Sequence, residues 1–109
     1  MSEIINIFKI EYETSDKSLK FEIHINQGYP LKYNCYGKTW AKRTEVIIYQ
    51  NDFLLTSNYT TKHYNDKDDL KYAVVNTLKP IIGKINVKFI RSKIWELIFK
   101  QIELCQKEK

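Results

Sequence analysis

The sequence predicts an α+β fold: an antiparallel sheet of four to five strands from the N-terminal half, packed by one or two C-terminal helices. Apolar residues recur at every second position through much of the first half, the spacing of a strand with one buried face. After about residue 70 they recur at every third or fourth position, the spacing of a helix. Strands therefore precede helices, an order typical of α+β chains.

The first half is expected to form two hairpins. The expected strands are residues 4–12, 19–26, 31–35, 45–50 and 53–61. Thr14 to Ser18 supply the first turn, and Asn51-Asp52 supply the second, although that turn lacks Gly. Gln27 to Pro30 break the alternation, so the third strand, with Leu31, Tyr33 and Cys35, is expected to be short.

The second half predicts two helical segments. Asp66, Asp68 and Asp69 suit a helix N-terminus, and an apolar stripe runs from Leu70 to Ile85. Pro80 should kink or stop this helix near Leu78 or Lys79, with Gly83 ending any helical segment beyond the proline. Residues 84–90 are expected to form a last strand or an extended link. Ser92 is the expected N-cap of a terminal helix over residues 93–106.

Length and composition favour one soluble domain over residues 1–109. Cys35 and Cys105 are far apart in a chain without a secretory signal, which indicates reduced thiols and a cytoplasmic protein. Residues 1–12 carry three charges, and no window approaches eighteen uncharged apolar residues, so neither secretion nor membrane insertion is expected. The richness in Ile, Lys, Asn and Tyr suggests an AT-rich genome such as that of a phage or mobile element.

The net charge of +5 is concentrated in two stretches, and residues 28–44 form the more distinctive one. This stretch, GYPLKYNCYGKTWAKRT, which we call the aromatic-basic tract, holds four aromatic residues, four positive charges and no acid. Bases stack on aromatic rings while cations bind phosphates, so the composition suits single-stranded nucleic acid. Alternatively, the rings are core or sheet-face residues and the lysines keep a neighbouring loop soluble. The candidate contact residues are Lys32, Tyr33, Tyr36, Lys38, Trp40, Lys42 and Arg43.

The second acid-free stretch, residues 70–95, either extends such a groove or is the solvated side of the helices. No metal or cofactor is expected, because His24, His63 and the cysteines lack metal-site spacing. His24, beside Glu22 on the polar side of its strand, is expected to be solvated. No catalytic motif is present, so an enzyme is not expected.

The terminal helix carries Trp95, Phe99 and Leu104 outside its main apolar stripe. Either the sheet and the first helix enclose these residues, or Trp95 and Phe99 form a partner or homodimer interface. The sequence therefore favours two candidate functions. The first is a non-catalytic nucleic-acid-binding accessory protein for single-stranded DNA or RNA. The second is a small inhibitor or adaptor that binds a nucleic-acid-processing protein, for example an anti-CRISPR-type blocker of a host enzyme.

Overall fold

The structure is a computed structural model that describes residues 2–30, 41–63 and 70–107. Four strands form one antiparallel sheet and two helices come after them in the chain, which confirms the predicted α+β class. The strands lie in the sheet in chain order: β1 (Ser2–Glu13), β2 (Lys20–Pro30), β3 (Ala41–Gln50) and β4 (Phe53–His63). The helices are α1 (Leu70–Leu78) and α2 (Lys88–Lys107), and a 3-10 turn at Ile82–Lys84 lies between them.

Both predicted hairpin turns are confirmed and lie side by side. Asn51 and Asp52 have φ angles of 51° and 70°, the left-handed backbone that a two-residue hairpin turn requires. Asn and Asp tolerate this conformation better than most residues, so the turn forms without Gly. The Asn51 side-chain oxygen accepts a hydrogen bond from the Lys20 backbone N–H at 2.9 Å, which joins the second turn to the start of β2.

The strands on either side of residues 31–40 are longer than predicted. Gln27 to Pro30 continue β2 instead of breaking it, and β3 begins at Ala41 rather than Glu45. Gln27 is tolerated inside the fold because its side-chain amide donates to the Thr44 hydroxyl at 2.8 Å, which satisfies a buried polar group. The predicted short strand with Leu31, Tyr33 and Cys35 lies outside the described residues.

The first helix ends at Leu78, as predicted from Pro80. The predicted N-terminal carboxylates Asp66, Asp68 and Asp69 lie outside the described residues. The apolar stripe continues past the helix, because Ile81, Ile82 and Ile85 stay buried in the connection to α2.

The predicted start of the terminal helix was wrong. α2 begins at Lys88 rather than after an N-cap at Ser92, so residues 84–90 contain no strand. The guanidinium of Arg91 donates to the Ile85 carbonyl at 2.8 Å, which ties the first turn of α2 to the preceding link.

The core lies between one face of the sheet and the two helices. Alternate residues of β1, β2 and β3 point into it, and α2 contributes isoleucines four residues apart. The buried apolar cluster consists of Phe8, Ile10, Phe21, Ile23, Ile25, Val46, Ile48, Val74, Leu78, Ile81, Ile82, Ile85, Ile90, Ile94, Ile98 and Ile102. Neither described helix is long and apolar enough to cross a membrane.

Candidate nucleic-acid interface

The aromatic-basic tract joins two neighbouring strands. Five of its seven candidate contact residues lie outside the described residues: Lys32, Tyr33, Tyr36, Lys38 and Trp40. The backbone of Lys42 is described, and it pairs with Lys62 of β4. Arg43 comes next in β3, paired with Gly28 of β2 on one side and with Thr61 of β4 on the other. Arg43 is therefore the candidate contact whose surroundings can be described in full.

Arg43 lies on the sheet face opposite the core, which we call the open face. One guanidinium nitrogen (Nη2) is 3.2 Å from the Glu45 carboxylate, forming an ion pair. The guanidinium also lies over the ring of Tyr59 in β4, 4.0 Å from its centre, within the range of a cation–π contact. The Nε atom of Arg43 is buried and has no hydrogen-bond partner among the described residues.

A row of polar side chains crosses the open face from β1 to β4. The Asn6 amide donates to the Asn26 side-chain oxygen at 2.9 Å, and the Asn26 amide donates to the Glu45 carboxylate at 3.2 Å. Glu45 then pairs with Arg43, which lies over Tyr59. One side chain thus positions the next across all four strands, and this row holds the arginine in place.

Sequence reasoning missed Tyr59, Asn26 and Glu45 as neighbours of the candidate site. Tyr59 is 54% exposed, although Arg43 lies over its ring. Arg43 and Glu45 are two residues apart, so the strand period would have placed them on one face if β3 had been predicted to begin at Ala41. The contact with Tyr59 depends on the β3–β4 register, which a single sequence does not reveal.

A second cluster on the open face joins Glu22, His24 and Tyr49. His24 was expected to be solvated, but it is half-buried: its Nε2 atom is 2.6 Å from the Glu22 carboxylate and its ring meets Tyr49 edge-on at 5.3 Å. The neighbouring strand β3 supplies the tyrosine that covers it. The hydrogen bond with His24 is the main cause that lowers the pKa of Glu22 below its ordinary value. This cluster therefore places the Glu22 carboxylate on the open face, next to His24 and Tyr49.

Charge is divided unequally between the two layers. The helical part, residues 70–105, carries seven basic and two acidic residues. The sheet segments 2–30 and 41–63 carry six basic and seven acidic residues. Lys42 and Arg43 belong to the tract, and without them the sheet segments carry four basic and seven acidic residues. The chain's positive excess therefore lies in the helical layer and in the tract, and the rest of the sheet is slightly acidic.

The residues of the second acid-free stretch have different surroundings. Arg91 binds a backbone carbonyl, and Lys93 lies 3.8 Å from the Glu96 carboxylate. Lys79, Lys84 and Lys88 are exposed. Three lysines are thus presented at the α1–α2 connection, while Arg91 has a structural contact.

The candidate partner surface on α2 is partly covered. Trp95 packs against the edge of the core and stacks on Phe99, with ring centres 5.5 Å apart. Phe99 is 39% exposed, and the Lys71 ammonium of α1 lies 5.4 Å from the centre of its ring. On the same helix, Phe89 and Leu104 are 70% and 48% exposed. Trp95 is thus partly buried against the core, whereas Phe99 reaches solvent, and a partner or homodimer interface at these residues stays a prediction.

Within the described part of the chain, no three His, Cys, Asp or Glu side chains lie close enough together to hold a metal ion. No protein-family model, curated protein or solved structure matches this chain.

Proposed function

We propose that this chain is a non-catalytic nucleic-acid-binding protein that takes single-stranded DNA or RNA. The observation that carries the proposal is the aromatic-basic tract, in which four aromatic residues are interleaved with four cations over seventeen residues without an acid. Stacking of bases on aromatic rings tolerates any sequence, and cations beside the rings bind the backbone phosphates. Such a surface needs no catalytic group.

The charge division supports the same function. A polyanion is attracted by the sum of nearby charges, and the helical layer adds a positive excess to that of the tract. The rest of the sheet does not attract a polyanion, since outside the tract its described segments carry seven acidic and four basic residues. We therefore assign binding to the tract and a general electrostatic contribution to the helical layer.

A fluorescence-anisotropy titration of the full chain tests this function. The probes are labelled single-stranded DNA, duplex DNA and single-stranded RNA, each at low and near-physiological salt. We expect tighter binding to single strands than to duplex, with affinity that falls as salt rises because phosphate contacts release counterions. No binding at low salt, where nonspecific attraction is strongest, would refute the proposal.

Charge reversal within the tract gives the site-directed test. Lys42→Glu with Arg43→Glu should abolish binding, but this pair also removes the contacts of Arg43 with Glu45 and Tyr59. Lys32→Glu with Lys38→Glu reverses the same amount of charge without touching those contacts. Each lost phosphate contact should reduce the salt slope by roughly 0.7 for a single strand.

The matched control reverses equal charge at the opposite end of the sheet, with Lys17→Glu and Lys20→Glu next to the first hairpin turn. We expect this control to bind single strands nearly as well as the wild type. If the control loses as much affinity as the tract variants, net charge rather than the tract governs binding.

A second candidate function, a small inhibitor or adaptor that binds another protein, is favoured by the surface of α2. Phe89, Phe99 and Leu104 expose apolar area on one helix, beside the stacked Trp95. If the chain binds no nucleic acid in the titration, this surface of α2 becomes the candidate binding site, and the ligand to look for is a protein.

A further inference from the structure

Tyr59 is an exposed aromatic residue at the margin of the proposed binding site. It lies on the open face in β4, opposite Glu45 in the register, and its diagonal neighbour in β3 is Arg43. More than half of its surface, 54%, is accessible even though the guanidinium of Arg43 lies over the ring. A planar ligand can therefore reach the tyrosine without displacing a core residue.

The cation beside this ring is held in place. Arg43 is fixed by Glu45, and Glu45 is fixed in turn by the Asn26 amide. A side chain positioned in advance loses less conformational freedom on binding than a free one. The ion pair also balances the Glu45 carboxylate, so a phosphate near Tyr59 does not face an unpaired negative charge.

The charge pattern of the open face favours this half of the sheet for an anionic ligand. Residues 53–61 of β4 carry no charge, whereas the open face of β1 and β2 carries three acidic residues, Glu11, Glu13 and Glu22, against two lysines, Lys9 and Lys20. The aromatic-basic tract enters β3 at Ala41, two residues before Arg43. Tyr59 therefore lies beside the residues by which the tract enters β3, in the half of the open face without an acidic excess.

We propose that Tyr59, with Arg43 beside it, is a stacking platform for one unpaired base of a single-stranded nucleic acid. The inference rests on the proposed function and extends its site from the tract onto the open face of β3 and β4. The ring stacks on the base, and Arg43 keeps the adjacent Glu45 carboxylate paired so that it does not repel the neighbouring phosphate. A duplex is a poor ligand here, because its bases present their faces to each other and not to a protein ring.

The test compares Tyr59 with a tyrosine of equal exposure. Tyr59→Ala should weaken binding of single-stranded DNA by on the order of tenfold or more, as expected when one base loses its aromatic platform. Tyr59→Phe keeps the ring and should bind like the wild type. Tyr59→Leu keeps an apolar strand residue without the ring and should behave like Tyr59→Ala. The control is Tyr72→Ala on α1, where the wild-type residue is also 54% exposed, and its affinity should stay unchanged.

The salt dependence separates stacking from charge. Loss of the Tyr59 ring removes no phosphate contact, so the slope of log affinity against log salt should stay at its wild-type value. Lys32→Glu with Lys38→Glu should reduce that slope. Far-UV circular dichroism of each variant confirms that the sheet is intact, and Tyr59→Leu replaces Tyr59→Ala if the alanine variant fails to fold.

The outcomes distinguish this inference from the function on which it rests. If the wild-type chain binds no single strand, the proposed function fails and the platform fails with it. If the wild type binds, the tract variants lose affinity and both Tyr59→Ala and Tyr59→Leu bind normally, the function stands and the platform is refuted. Equal losses in the Tyr59 and Tyr72 variants would also refute it.

Discussion

The hydroxyl of Thr77 links α1 to the sheet at a position with no solvent exposure. It donates to the Ala73 carbonyl of its own helix at 2.7 Å and lies 2.7 Å from the Thr60 hydroxyl of β4. The backbone carbonyl of Thr77 accepts from the Asn58 amide at 3.1 Å. Thr77 thus binds two polar side chains of β4, Asn58 and Thr60. Contact between α1 and this strand therefore includes hydrogen bonds as well as apolar packing.

Replacing this hydroxyl should destabilise the fold. Thr77→Val leaves the Thr60 hydroxyl without its partner, so we expect a loss of about 1 kcal/mol in the free energy of unfolding, the usual net value of one hydrogen bond. Adding Thr60→Val should cost less than the sum of the two single changes, because the orphaned partner is then removed. Urea denaturation of the three variants gives the coupling energy. Strictly additive losses would show that the two hydroxyls do not interact.

Asp16 organises the turn between β1 and β2. One oxygen of its carboxylate accepts hydrogen bonds from the Ser18 backbone N–H at 3.0 Å, the Thr14 hydroxyl at 2.7 Å and the Ser18 hydroxyl at 2.8 Å. These bonds favour the ionised form, the backbone bond from Ser18 most of all, and lower the pKa of Asp16 from 3.8 to about 2.

This lowered pKa predicts that the free energy of unfolding depends on pH in the acidic range. A carboxylate whose pKa is lower in the folded state stabilises the fold above its unfolded pKa, and that contribution fades as pH falls from about 4 towards 2. We expect Asp16→Asn to be less stable than the wild type near pH 6, with the difference shrinking between pH 4 and pH 2. Urea midpoints measured across that range provide the comparison. Parallel curves for the two proteins would contradict the assigned role of Asp16.

At the scale of single elements, the strand period was a good guide and polar residues were the main source of error. Alternation located both hairpins, because each strand has one buried face. It failed at Gln27, where a polar side chain was expected to end β2 and instead bonds Thr44 across the sheet. That partner is seventeen residues away, so local pattern could not reveal it.

For the helices, the end of α1 was predicted correctly and the start of α2 was not. Pro80 stops α1 through local backbone chemistry, and its effect was predictable. The start of α2 was misplaced because Lys88, Phe89 and Arg91 are exposed or half-exposed and obscure the apolar stripe in the first turn. Ile90 carried the correct signal, since it begins the spacing of four that Ile94 continues.

The sequence predicted which residues of the tract belong to the candidate site, but not which residues of other strands lie next to them. The tract identified Arg43 through its charge and its aromatic neighbours in the sequence. The aromatic residue that Arg43 contacts is Tyr59, on the next strand, and their contact depends on the pairing of β3 with β4. A one-residue slip in that register would place Tyr59 on the other face of the sheet.

At the scale of the whole molecule, the sheet and the helices share one apolar core. Ile23 of β2 and Ile94 of α2 both have no exposed surface and belong to the same buried cluster. Neither layer can keep its apolar face covered without the other, since the helices provide the cover for that face of the sheet. The described part of the chain should therefore unfold as a unit.

This coupling can be tested by weakening each layer separately. Ile94→Ala and Ile23→Ala should each lower the free energy of unfolding by about 2–5 kcal/mol, the range for a large aliphatic residue truncated in a core. Phe89→Ala, at a 70% exposed position on the same helix as Ile94, should change it by no more than about 0.5 kcal/mol. Tryptophan fluorescence and far-UV circular dichroism should give coincident urea transitions in every variant, as two-state unfolding requires. If Ile94→Ala melted the helical signal while the sheet signal persisted, the two layers would be stable independently, and the charged helical layer could detach while the sheet stayed folded.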